Sequence, residues 1–243
     1  MKMIVLLSAF LCSPLLTFAQ APPSAPPPPK REATAEFAFV GTTGNASTQT
    51  IGLSGEFIAR PDQWVITNKA ALVRNEAESV LTAESFGYLF RTARTLSPRL
   101  SAFGEYAYFH DEFAGVRHRN SLVGGLSFKV VSLPAHIFVT DVGLGYMNEQ
   151  RIEGDTVSSA TWSLGAGYRW KISSTADFSD DVRMTGLFVD GGDWRLVQAA
   201  AITARLTKTF SLKVSNTVRY AHKPVPTFKN TDTNTAVALV AKF

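Results

Sequence analysis

The sequence predicts an all-β fold: a single antiparallel transmembrane β-barrel, with twelve strands as the expected count. Three observations predict it. Apolar and polar residues alternate with a period of two along segments of about ten to fifteen residues, a spacing that sorts onto two faces only in a strand. The turns between segments fall into a short set and a longer, more polar set, as the two rims of a membrane barrel require. The final segment, TNTAVALVAKF from Thr233 to Phe243, alternates up to a closing aromatic, as a strand meeting lipid and its boundary would. A soluble β-sandwich or lipocalin-like barrel is the other fold that alternation allows.

The elements follow from the amino end. Residues 1–19, MKMIVLLSAFLCSPLLTFA, place Lys2 before an apolar run and small residues before Gln20. That is the pattern of a secretory signal peptide cleaved after Ala19. Cys12, the only cysteine, lies inside it, and Leu11 before it is too large for a lipoprotein cleavage site. A mature chain without cysteine has neither disulfides nor thiolate metal sites. Residues 20–33 are a proline-rich periplasmic linker, because proline neither donates to a ladder nor continues a helix. Residues 34–243 then form one domain of uniform texture.

Within that domain the strands are expected at 34–42, 47–60, 63–74, 79–92, 98–111, 117–131, 135–148, 157–171, 176–189, 194–207, 210–222 and 233–243. Trp162, Leu164, Ala166, Tyr168 and Trp170 share one face of their segment. Phe210, Leu212, Val214, Val218 and Tyr220 share one face of another, with Asn216 as its misfit. Aromatics cluster toward strand ends, as in the girdles of a lipid-facing band. No stretch beyond the leader approaches eighteen apolar residues, so no membrane helix is expected. An even strand count returns both ends to the periplasmic rim. The short turns are then RPDQ, RTLSP, SLP, SST and KTF. The external ones are TGNAS, NEAES, EFAGV, NEQRIEGD, DGGD and KPVPTFKNTD.

The chain carries 24 basic and 20 acidic residues, a net charge of +4. The charges are spread rather than gathered in a stripe, so no nucleic-acid partner is expected. Alternation instead turns them inward, since Arg or Lys facing lipid near the midplane costs about 2–4 kcal/mol. The expected lumen residues are Glu56, Lys69, Arg91, Glu105, Asp141, Arg169, Lys171, Asp181, Arg183, Arg205, Lys213, Arg219 and Lys242. Arg183 and Arg219 are placed in the middle part of their strands. Nine basic against four acidic residues predicts a preference for anions, provided the charges line an aqueous path. If they pair with one another, they fill the barrel and serve stability. Twelve strands give a backbone radius of roughly 12 Å, of which side chains take about 6 Å. Inward Gly125, Gly143, Gly145, Gly165 and Gly167 either leave room in the lumen or relieve strand curvature.

Catalytic and metal signals are weak. His118 and Asn120 share a face near an external rim, but the serine a surface hydrolase needs beside them is missing. Asp190, Gly191, Gly192 and Asp193 read as a turn before a calcium site. No catalytic residue, cofactor or metal is therefore expected.

The opening GTTGNAST (Gly41–Thr48), the block FAGVRHRNSLVGGLSF (Phe113–Phe128), GLGY (Gly143–Tyr146) and the closing stretches TARLTKTFSLKVSNTVRYAHKPVP and NTDTNTAVALVAKF resemble an uncharacterised bacterial family typified by a salt-induced outer membrane protein. The resemblance spans residues 34–243 and implies an outer-membrane location. It brings no activity or catalytic residues. The expected role is a narrow, weakly anion-preferring passive pore or osmotic-stress envelope protein, with a structural or adhesive barrel as the rival and a surface hydrolase at His118 as a weak third. The expected partners are outer-membrane lipid, small ions or solutes and, through Phe243 as assembly signal, the barrel-insertion machinery.

Overall fold

The computed structural model describes residues 28–42 and 48–243. The expected signal peptide, the first part of the linker and the TGN turn lie outside them. Twelve strands form the fold: β1 (Arg31–Thr42), β2 (Thr48–Ala59), β3 (Trp64–Ala77), β4 (Val80–Ser97), β5 (Leu100–Asp111), β6 (Val116–Ser132), β7 (His136–Arg151), β8 (Val157–Lys171), β9 (Ala176–Leu187), β10 (Trp194–Arg205), β11 (Phe210–Ala221) and β12 (Thr231–Lys242). Each pairs antiparallel with its sequence neighbours, and β1 pairs with β12, so the sheet closes. This is a single, closed, twelve-stranded antiparallel transmembrane β-barrel. Closure pairs every strand on both sides over at least part of its length, which is what allows strands to cross a bilayer.

The registers accumulate an offset of about 16 residues around the closed sheet. For twelve strands that corresponds to a tilt of about 40° and a backbone radius of roughly 12–13 Å.

The boundaries differ from expectation at three informative places. β1 opens at Arg31, because Arg31, Glu32 and Ala33 already pair with Ala59, Ile58 and Phe57. The linker therefore ends before residue 33. NEAES is not a long loop: β3 and β4 meet at a two-residue turn in which Glu78 and Ser79 have φ of 51° and 63°, the geometry that matches strand twist in tight hairpins. β7 continues to Arg151, three residues past its expected end at 148 and through the first four residues of the expected loop NEQRIEGD.

The outer face carries the aromatic girdles. At the rim with the chain ends, Trp64, Trp170, Phe210 and Phe243 are exposed, His136 stacks on Trp170 at 5.9 Å, and the Arg94 guanidinium lies 5.8 Å from the Trp64 ring. At the other rim Trp194 packs on Tyr220 at 5.1 Å and stacks on His222 at 5.3 Å. Between the girdles the outer face presents Phe37, Leu53, Phe90, Leu122, Leu126, Val142, Leu144 and Leu164, all exposed.

Candidate functional site: the barrel lumen

Contacts between strands that are not neighbours identify the inner face, because such side chains meet only across the lumen. Arg183 of β9 holds Glu105 of β5 through both terminal nitrogens. Arg91 of β4 donates to Glu105 at 3.1 Å and lies 2.9 Å from Asp141 of β7. The Glu105 side chain is 2% exposed. The Arg91 guanidinium also stacks 3.8 Å from the Phe103 ring centre.

A second cluster sits nearer the external rim. Glu149 accepts from Arg119 at 2.5 Å, from Arg151 at 2.8 Å and from Arg195 at 2.6 and 3.0 Å. Asp193, in the turn before β10, faces Arg151 at 3.2 Å and Arg195 at 3.6 Å. Arg219 of β11 lies 5.5 Å from the ring of Phe109 on β5, diametrically across the barrel, and Arg119 lies 5.3 Å from the same ring. These side chains make a layer across the lumen.

The inward glycines have a specific use. Phe103, Gly125, Gly143 and Ser163 are successive register partners, as are Val123, Gly145 and Thr161. A Cβ at Gly125 would stand 2.1 Å from the Val142 carbonyl and 3.0 Å from the Phe103 ring. One at Gly143 or Gly145 would stand 2.8 or 2.9 Å from Val123. The Phe103 ring thus lies over two glycines and Val123 over a third. The space that those glycines offered is filled, and both apolar side chains are buried inside the wall.

The rest of the lumen is wetter. Lys69 pairs with Glu56 at 2.8 Å, Lys213 with Glu36 at 2.8 Å, and Arg169 with Asp181 at 2.7 Å. Inner-face Val197, between Arg183 and Arg219 in register, is 40% exposed. Inner-face Ala71 is also exposed. Ala71 stands mid-strand in β3 and Val197 four residues into β10, level with Arg219, so water-sized space runs along this side of the lumen.

Arg205 donates to the Ser174 carbonyl in a turn at the rim with the chain ends, and Lys242 lies 3.8 Å from Glu32. With exposed Lys171, these two stand at the rim and not in the middle of the lumen. Arg219 is the tenth residue of twelve in β11, which corrects its expected mid-strand position. Among the described residues it has no carboxylate at salt-bridge distance. The nine-to-four charge balance is incomplete on both sides, because Glu32, Glu36, Glu149 and Asp193 also join inner-face ion pairs and so do Arg60, Arg119, Arg151 and Arg195.

The external mouth is covered from one side. Residues 222–230, between β11 and β12, reach the β5–β6 connection on the opposite wall. A Cβ at Gly115 there would stand 2.7 Å from Val225 and 2.9 Å from Phe228, and Val225 is buried. Thr227 donates to Glu153 at 3.3 Å. Lys223 pairs with Asp190 at 2.5 Å. That hydrogen bond, with one from the Gly192 N–H, holds the Asp190 carboxyl below the usual range.

A small cavity of about 50 Å³ lies by the β1–β12 seam, against Ala38, Gly52, Val73, Asn234 and Ala236. Around His118 the outer surface is a ring cluster: Tyr108 is 2.8 Å from the imidazole, and His110 stacks on it at 5.8 Å. Phe243 exchanges backbone hydrogen bonds with Ala33 at 2.9 and 3.2 Å, extending the seam, while its ring stays exposed.

Comparison with solved structures agrees with the architecture. The NanC porin superposes with a TM-score of 0.52 at 12% identity, covering 86% of this chain and 98% of that one. An anion-selective porin from Comamonas acidovorans gives a TM-score of 0.44 at 9% identity, covering 88% and 98%. The KdgM porin in complex with disordered oligogalacturonate gives 0.42 at 8%, with the same coverage. These likenesses concern the fold. No curated protein matches the chain. A family model described as a protein of unknown function, DUF481, matches residues 35–243.

Proposed function

Because the chain belongs to DUF481, a family of unknown function, its role has to be read from the lumen, and we propose that it is a narrow passive pore of the outer membrane for small ions or solutes. The observation that carries this reading is the solvent exposure of Ala71, Lys69 and Asp181 on the inner face, midway between the rims, continued toward the level of Arg219 by Val197. Water that reaches the middle of a barrel gives ions a medium, and fixed charges beside it bias which ions enter. The ion pairs leave only a weak bias toward anions. Arg219, which has no carboxylate at salt-bridge distance among the described residues, supplies it at the constriction, offset in part by its register partner Asp232 and by Asp111 nearby.

A second reading rests on a different observation. Arg183–Glu105, Arg195–Glu149 and Arg219–Phe109 all cross the lumen, which suits a structural barrel with a filled interior. Planar-bilayer recording of the refolded chain separates the two. The pore reading expects small discrete conductance steps, with reversal potential displaced toward anions at low salt. Arg219→Glu should move that potential toward cations at low salt and less at high salt, where screening is stronger. Arg183 is unsuitable for this purpose, since reversing it breaks the Glu105 cluster. A silent membrane would leave the structural reading standing.

The resemblance to a salt-induced group adds osmotic stress as the condition under which the pore would operate. Assembly through the barrel-insertion machinery, read from Phe243, belongs to the same proposal.

A further inference from the structure

The outer face of β9–β12 differs from the rest of the lipid-facing belt. Tyr168, Asp180, Ala200, Asn216 and Thr235 are successive register partners on this face, and Gln198 stands beside them on β10. Neighbouring Asp181 and Lys213 point inward to Arg169 and Glu36, so alternation turns Asp180 and Asn216 outward. Gln198 donates to both Asp180 oxygens at 3.2 and 3.3 Å. Asn216 donates to the Thr235 hydroxyl at 2.8 Å. The row therefore lies between the two aromatic girdles, where the same belt elsewhere carries mainly Phe, Leu and Val and, among the described residues, a single amide, Asn68, held by the Tyr88 hydroxyl at 3.0 Å.

Hydrocarbon satisfies none of the remaining hydrogen-bonding capacity of this row. Each of these amides keeps a free carbonyl oxygen, Asn216 keeps a second N–H, and the Asp180 carboxylate has lone pairs beyond those that Gln198 fills. An ionisable residue in such a place calls for a protein partner or water. Small and polar side chains are what packed membrane segments use at their contacts. The row also ends beside a weak part of the wall. Among the described residues the β1–β12 ladder runs from Ala33 and Phe243 to Phe37 and Leu239 and is not continued at Phe39, which leaves the external half of β12 next to Thr235 unpaired on that side.

We propose that the outer face of β9–β12 is a contact between two copies of this chain, related by a two-fold axis near Ala200. The row is self-complementary. It holds an acceptor in Asp180 and donors in Asn216, Gln198 and Thr235, so a two-fold contact can bring each copy's Asp180 to the partner's amides. Ala200 at the centre lets the walls approach. Four strands make a patch about 19 Å wide and about 25 Å tall, roughly 480 Å² per copy, the size of a weak, reversible contact.

Cysteine cross-linking in outer membranes tests the contact. With Cys12→Ser removing the only other cysteine, Ala200→Cys should form a disulfide-linked band of twice the chain mass under mild oxidation. Leu126→Cys, on another side of the outer face, should stay at one chain mass. Adding Asp180→Leu and Gln198→Leu to Ala200→Cys should abolish the band while heat-modifiable gel migration still reports a folded barrel. A monomer at Ala200→Cys, equal linking at Leu126→Cys, or a linked band of any other mass each overturns the proposal.

Discussion

Glu149→Gln is expected to destabilise the barrel by about 3–5 kcal/mol, the cost of leaving buried charges without their partner. Three guanidiniums, from Arg119, Arg151 and Arg195, converge on this carboxylate, which is 1% exposed. The amide keeps the shape and loses the charge, so the arginines would repel one another in a low-dielectric layer. Unfolding in urea from detergent micelles, followed by tryptophan emission, measures the change. Glu56→Gln is the control: its pair with Lys69 is wet, with side chains 31% and 49% exposed, and should change stability by less than about 1 kcal/mol. Equal losses at the two sites would mean that the external cluster is not the keystone its burial implies.

Replacing residues 222–229 by a two-residue Asn-Gly turn, which keeps Ala221 opposite Asn230, is expected to raise single-channel conductance several-fold. The segment carries Val225 and Phe228 across to Gly115 on the opposite wall and Thr227 to Glu153. Removing it uncovers the mouth above the Arg219–Phe109 layer. An unchanged conductance would place the limiting constriction in that layer, and a loss of heat-modifiable migration would show that the segment is needed for folding.

The fold was legible because lipid makes a one-sided demand. Where the outer face must be apolar, as in Trp162–Trp170, alternation shows the strand directly. Past the girdles that demand ends. β7 runs on through Asn148, Glu149, Gln150 and Arg151 with both faces polar, so the period of two disappears and the segment reads as a loop. That is why Glu149, the most enclosed charge of the lumen, was missed. The pattern Glu149-x-Arg151, continuing the inward series of Asp141, Gly143, Gly145 and Met147, was the one signal for it. The filled glycines were out of reach for another reason. That Phe103 lies over Gly125 and Gly143 depends on the registers of two strand pairs, and register is not written in either strand alone. Asn216, a misfit in its strand, gains its meaning from Asp180 and Thr235 on neighbouring strands.

The short β1–β12 ladder also has a kinetic consequence. Every other seam joins strands close in sequence, but this one joins Thr34 to Lys242 and Phe37 to Leu239, so its loop-closure entropy is the largest in the molecule. The last step of folding is then a zippering that starts where Ala33 and Phe243 exchange hydrogen bonds and proceeds toward the external rim. Unfolding runs the same path backward. The molecule comes apart by unrolling from this edge, and a covalent staple across it would slow that unrolling more than one placed at any other pair of strands.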